Sequence, residues 1–161
     1  MNTILSILWS LLLTGVASAG SVMLNVKPAS ENKTADKKQA EVTRAYWLNV
    51  RVTNPSGVKL EGVTLKWTLY AANLRRGSDS IVVEKSGDMK IAVDASGRYT
   101  DLVTPKVAFV YTPMHSERKG RSSRIVEESG HRYHGWHVQV LNGDTIIGEA
   151  ISNEGLRKHL D

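Results

Sequence analysis

Tyr46-Trp47-Leu48-Asn49-Val50-Arg51-Val52-Thr53 is followed by Asn54-Pro55-Ser56-Gly57 and then by Val63-Thr64-Leu65-Lys66-Trp67-Thr68-Leu69-Tyr70-Ala71. Side chains on a strand change face at every residue, so apolar residues at every second position mark a half-buried strand. Tyr46, Leu48, Val50 and Val52 fall on one face, with Trp47, Asn49, Arg51 and Thr53 on the other. The second run repeats the pattern, with Val63, Leu65, Trp67, Leu69 and Ala71 against Thr64, Lys66, Thr68 and Tyr70. Between them, Pro presets φ and Gly accepts a positive φ, which makes a turn. Two consecutive strands with apolar inner faces are the nucleus of an all-β domain.

The rest of the chain reads the same way. Short strands are expected at 22–26, 80–85, 88–93, 98–103, 106–112, 132–141 and 145–151. Ser86-Gly87, Asp94-Ala95-Ser96-Gly97 and Asn142-Gly143-Asp144 punctuate them, and Pro105 suits a strand start or an edge because it cannot donate to a ladder. Residues 27–41 are polar and Lys-rich, contain Pro28, and read as a linker; 113–130 reads as a loop. Residues 153–160 are expected to make one or two helical turns capped by Asn153. No long amphipathic stretch is present. Seven to nine short strands with turns every 8–12 residues predict an antiparallel β-sandwich.

The chain has 161 residues, 21 basic and 16 acidic, a formal charge of +5 and no cysteine. That length fits one domain. The absence of cysteine excludes disulfides, a thiol nucleophile, thiolate zinc sites and cysteine-ligated iron–sulfur clusters. Residues 4–16 form an apolar run followed by Ala17-Ser18-Ala19, a small-x-small pattern. The run is too short to span about 30 Å of hydrocarbon. Residues 1–19 are therefore expected to be a signal peptide cleaved after Ala19, leaving 142 residues, no stable membrane span and no loss of charge. Residues 20–41 would hold a short first strand and the linker, and 42–161 the sandwich with its helical tail. Export to the periplasm, the outer-membrane surface or the medium follows.

The stretch from Tyr46 to Asn54, its turn, and Val63 to Leu69 with central Trp67 resemble the early strands of bacterial immunoglobulin-like or fibronectin type III-like domains. Trp136-His137-Val138-Gln139-Val140-Leu141-Asn142-Gly143 resembles the closing hairpin of such a sandwich. The resemblance implies an immunoglobulin-like fold over most of 42–151. It departs from true immunoglobulin domains in lacking both bridging cysteines, and it implies no activity.

Three kinds of candidate site stand out. His131, His134 and His137, with His115, are the weak candidates for a metal, since imidazoles ligate zinc or copper. On a regular strand His131 and His137 lie about 20 Å apart and His134 faces away, so no metal site and no cofactor are expected without a bulge near Gly135. Arg118, Lys119, Arg121 and Arg124, with the Lys-rich segment around Lys33, Lys37 and Lys38, could meet a polyanion or an acidic glycan. Trp47 and Tyr70, on the polar faces of their strands, could stack on sugar rings; Trp67 and Trp136 read as core. Glu127 and Glu128 are adjacent and point apart on a strand. There is no G-x-S-x-G turn and no phosphate loop, so no catalytic residue is assigned.

The expectation is thus an exported, non-catalytic sandwich acting by protein–protein contact with envelope or surface proteins, or by self-association, for example in a pilus or adhesin. Contact would use an open sheet edge or the 113–130 loop. The alternative is a carbohydrate- or polyanion-binding module. Intracellular nucleic acid is not expected as a partner, because the chain is exported and lacks a stacking platform interleaved with basic residues.

Overall fold

A computed structural model describes residues 22–33, 40–75, 80–95 and 98–160. The expected signal peptide, Lys37, Lys38 and the Ser96-Gly97 part of one turn lie outside these residues. Among the described residues there are ten strands: β1 (Met23–Asn32), β2 (Val42–Thr53), β3 (Leu60–Asn73), β4 (Ile81–Val93), β5 (Tyr99–Val103), β6 (Val107–Thr112), β7 (His115–Lys119), β8 (Ser122–Val126), β9 (Ser129–Asn142) and β10 (Thr145–Ile151). One 3₁₀-helix among the described residues, Glu154–His159, follows β10 with Asn153 as its cap, whose Oδ1 accepts from the Gly155 N–H at 2.8 Å. The fold is an all-β antiparallel sandwich, as the alternation requires.

One sheet holds β1, β2, β5 and β6; the other holds β4, β3, β9 and β10. They share a strand. β9 begins by pairing Ser129 and Gly130 with Thr112 and Tyr111 of β6, then crosses to pair His131–Leu141 with β3. Gly130 makes the crossing, with φ +93°; a Cβ there would lie 2.5 Å from the Val110 carbonyl oxygen. In the corner so formed, Tyr46 and Tyr133 stack at 4.1 Å, and Phe109 meets both edge-on at 5.3 and 5.5 Å. Burial, with Tyr46 adding to it, pushes the Tyr133 hydroxyl up to about 12. The main core fills the space between the sheets with Leu48, Val50 and Val52 against Val63, Leu65, Trp67, Leu69, Val138 and Val140. Trp67 and Trp136 both belong to it.

β5 and β6 run end to end along one side of β2, joined through Thr104-Pro105-Lys106. Tyr46 pairs Val107 while Asn49 pairs Val103, so the β5–β6 side carries one extra residue. Pro105 brings no N–H. Thr104 repairs the ladder instead: its Oγ1 accepts from the buried Leu48 N–H at 2.9 Å, and its N–H donates to the Leu48 carbonyl at 3.0 Å. Buried Asn54 ties the loops at one end. Its Nδ2 donates to the Val58 and Asp94 carbonyls at 2.7 and 3.2 Å, and its Oδ1 accepts from the Ser56 N–H and hydroxyl.

Three expectations are corrected. Ser86-Gly87 does not break β4, which is continuous; Gly87 is where the Trp67 indole lies against the neighbouring strand, and a Cβ would sit 2.8 Å from its ring. Pro28 does not end β1. Both backbone groups of its partner Leu48 turn to Thr104, so the pair shares no hydrogen bonds and the missing N–H points to the open edge. The 113–130 segment is not a loop: β7 and β8 form a hairpin with Gly120 at φ +66° in a two-residue turn, Lys119 pairing Ser122 across it.

The helix is held on the outer face of the second sheet. Leu156 is buried there, and a Cβ on Gly135 would come within 2.8 Å of it. Glu149 gathers the surroundings: Oε1 accepts from His137 Nε2 at 2.9 Å and Gln139 Nε2 at 3.1 Å, and Oε2 from Arg157 Nη1 at 3.1 Å. The His137 bond, more than the others, holds this carboxyl below its ordinary 4.5.

Three outcomes follow for stability. Thr104→Val leaves a buried N–H unpaired and lowers the unfolding free energy by about 1–3 kcal/mol in urea titration, whereas Thr104→Ser recovers most of it. Gly130→Ala costs at least about 1 kcal/mol through the backbone alone, more with the clash, by the same titration. The folded state holds the Glu149 proton less tightly than the unfolded chain does. Its contribution is therefore present above 4.5 and lost as the pH falls through the lower folded value. Melting curves from about pH 6 to about pH 3 should show a shallower acid loss for Glu149→Gln than for the parent chain.

Candidate functional site

The four histidines do not converge. His115 Nδ1 donates to the Pro113 carbonyl at 3.0 Å, and its Nε2 lies 3.5 Å from Glu117 Oε1, too far for a good hydrogen bond. His131 Nδ1 lies 2.7 Å from Glu84 Oε2, His137 turns to Glu149 as above, and His134 is exposed. The bulge that could have gathered them exists: Tyr70 pairs Gly135 and Ala71 pairs Tyr133, leaving His134 as the extra residue. It leaves His131 and His137 on opposite faces, each with its own carboxylate. No group of three metal-ligating side chains forms among the described residues.

The two aromatic candidates separate. Tyr70 does point to the outer face of β3, as the alternation requires, but it is 3% exposed. It sits level with Gly135, with bulges in both neighbouring strands. Burial raises its hydroxyl pKa, and it cannot serve as a sugar platform. The alternation of β3 gave its direction but not its burial. Trp47 is half-buried on the outer face of β2, with Lys106 Nζ 4.6 Å from its ring centroid.

That outer face carries more than Trp47. The register lines up Met23, Thr53 and Tyr99, then Asn25, Arg51 and Asp101, then Lys27, Asn49 and Val103. Arg51 grips Asp101 with two parallel bonds of 2.7 and 2.8 Å, and its guanidinium lies 3.9 Å from the Tyr99 centroid. Arg51 holds the Asp101 carboxyl below its usual range. Lys106 bonds Glu31 at 2.7 Å and lowers that carboxyl likewise. A shallow depression of about 290 Å³ lies between Asn25, Lys27, Asn49, Arg51, Asp101 and Val103. Tyr99, 56% exposed, was missed in the sequence reading. The signal was present: Tyr99, Asp101 and Val103 alternate with Thr100 and Leu102 just after the turn at 94–97.

The basic candidates sit on the β7–β8 hairpin, which among the described residues pairs with no other strand. Pairing puts Ser116 with Ile125 and Arg118 with Ser123 on one face, and His115 with Val126 and Glu117 with Arg124 on the other. Lys119 stands opposite Ser122 beside the turn, and Arg121 is exposed within it. Arg118 and Arg124 are exposed on opposite faces, so the cluster is a charged tip rather than one flat patch. The face that carries Arg118 exposes Ile125 at 69%, with Met114 exposed just before the hairpin.

No helix among the described residues is long and apolar enough to cross a membrane. No protein-family model matches the sequence, and no curated protein matches it. Among solved structures, one from Akkermansia muciniphila is similar over 86% of this chain and 74% of its own, at 14% identity and a TM-score of 0.41. A likeness at that level adds nothing to the reading of fold or function.

Proposed function

We propose that this chain is an exported, non-catalytic sandwich module that acts by protein–protein contact in the cell envelope or a surface appendage, and that its contact element is the β7–β8 hairpin. The finer immunoglobulin-like assignment belongs to the same proposal. The observation that carries it is Ile125, a large apolar side chain in the open on a ribbon that pairs with no other strand among the described residues. A two-stranded ribbon is marginal on its own in water. An exposed β-branched residue flanked by Arg118, with Arg121 at the tip, fits an apolar contact ringed by acidic groups on a partner.

Two of the sheet edges, β1 and β4, are poorly suited to strand addition. β1 turns Pro28 to its open side and flanks it with Lys27. β4 carries the extra residue Glu84 opposite β3, and exposes Lys85, Asp88 and Lys90. Proline, bulges and edge charges are the features that discourage strand addition.

A photo-crosslinking residue at Ser123 tests the reading in producing cells, with the same residue at Lys66 as control. Ser123 should yield a discrete protein adduct and Lys66 none. Ile125→Asp should cut the yield about tenfold or more, as for a central interface anchor, with an unchanged melting temperature. No adduct at Ser123, or one indifferent to Ile125→Asp, overturns the assignment.

A further inference from the structure

We infer that the outer face of β1, β2 and β5 is a binding site for a neutral glycan chain, separate from the hairpin. The depression between Asn25, Lys27, Asn49, Arg51, Asp101 and Val103 lies near the lower end of the roughly 300–1,000 Å³ usual for ligand sites. An aromatic residue stands at each end of it, Tyr99 opposite Thr53 and Trp47 on the same face of β2. From Trp47 to Thr53 is six residues, or about 20 Å along the strand. That is room for an oligosaccharide rather than one ring.

The chemistry of the face selects the occupant. Sugar hydroxyls donate and accept, so they need both kinds of partner close together. The carboxamides of Asn25 and Asn49 supply both. The Arg51–Asp101 pair supplies guanidinium N–H groups and carboxylate lone pairs, already locked by its two mutual bonds. Groups fixed before binding cost little entropy when a ligand arrives. The Tyr99 ring has Arg51 on one side and is more than half exposed, which braces it as a platform for the polarised C–H groups of a sugar.

A polyanion fits this face poorly. Arg51 and Lys106 are engaged by Asp101 and Glu31, so their charge is cancelled locally. Lys27 has no ion-pair partner among the described residues, and one lysine does not make a polyanion site. An apolar protein partner fits less well, since five of the eight residues lining the depression are polar or charged, and of the apolar three, Val50, Leu102 and Val103, the first is buried.

The signal-free chain tests this on an array of neutral and acidic glycans, followed by titration of cellohexaose and chitohexaose watched through tryptophan fluorescence and amide chemical shifts. Neutral oligosaccharides should bind, with shifts centred on Asn25, Asn49, Tyr99 and Asp101. Tyr99→Ala should weaken binding about three- to tenfold, the range for loss of one stacking contact. Asp101→Asn, which keeps the shape but breaks the charged clamp, should weaken it as well. Both residues are exposed, so the melting temperature should hold. Simultaneous replacement of Arg118, Arg121 and Arg124 by Ala should leave this binding intact. Failure of every neutral glycan to bind overturns the inference. So does binding indifferent to Tyr99→Ala and Asp101→Asn, and so does binding confined to acidic glycans and lost with the hairpin arginines. None of these results bears on the hairpin's crosslinked adduct.

Discussion

β9 has to belong to both sheets, and the rest of the molecule is arranged around that requirement. A strand that pairs first with β6 and then with β3 must turn sharply between Gly130 and His131. Gly130 supplies a backbone conformation that a side chain would obstruct. The crossing brings Tyr133 under Tyr46 and Phe109 and so seals the corner with three rings. At the opposite border Val22 donates to the Ile147 carbonyl at 2.8 Å, tying the start of β1 to β10. With no disulfide, the two sheets are joined by a shared strand, a corner of rings and a packed interior.

The same arrangement decides which surfaces are offered. The second sheet has part of its outer face covered by the C-terminal helix, held through Leu156 and the Glu149 cluster. Among the described residues no helix lies over the outer face of the first sheet, where aromatic, amide and paired charged groups lie in register. β7 and β8 leave the sheets just before β9 begins its crossing, so the hairpin extends from the point where the chain passes between layers. Two surfaces of different chemistry result. One is polar, nearly charge-balanced and flanked by two aromatic residues, Trp47 and Tyr99. The other is basic, apolar at its centre and carried on a ribbon.

Period-two alternation was legible wherever one face met the core. β2, β3, β5, β6 and β10 appear close to where their patterns place them, and so does the cap at Asn153. It failed where a local signal has two physical meanings. Gly87 reads as a turn but serves as space for the Trp67 ring. Pro28 reads as a stop, yet on an edge strand its lost N–H is harmless. His115–Val126 has no apolar alternation to read, because its pairing is held by backbone bonds with little burial. Tyr70 was assigned its true side of the strand but the wrong environment.

The sequence by itself determined the all-β class, the inner faces of β2 and β3 and the exclusion of cysteine chemistry. These depend only on residue type and on a two-residue period, which neighbouring positions carry. Tertiary structure alone decided that Tyr70 is covered, that His131 and His137 each meet a different glutamate, and that Tyr99, Arg51, Asp101, Asn25 and Asn49 share one face. Those residues are up to about 75 positions apart in the chain. Their meeting depends on which strands pair and in what register. Register comes from the bulge at Thr104, the crossing at Gly130 and the packing of the core, and no local stretch of sequence encodes it.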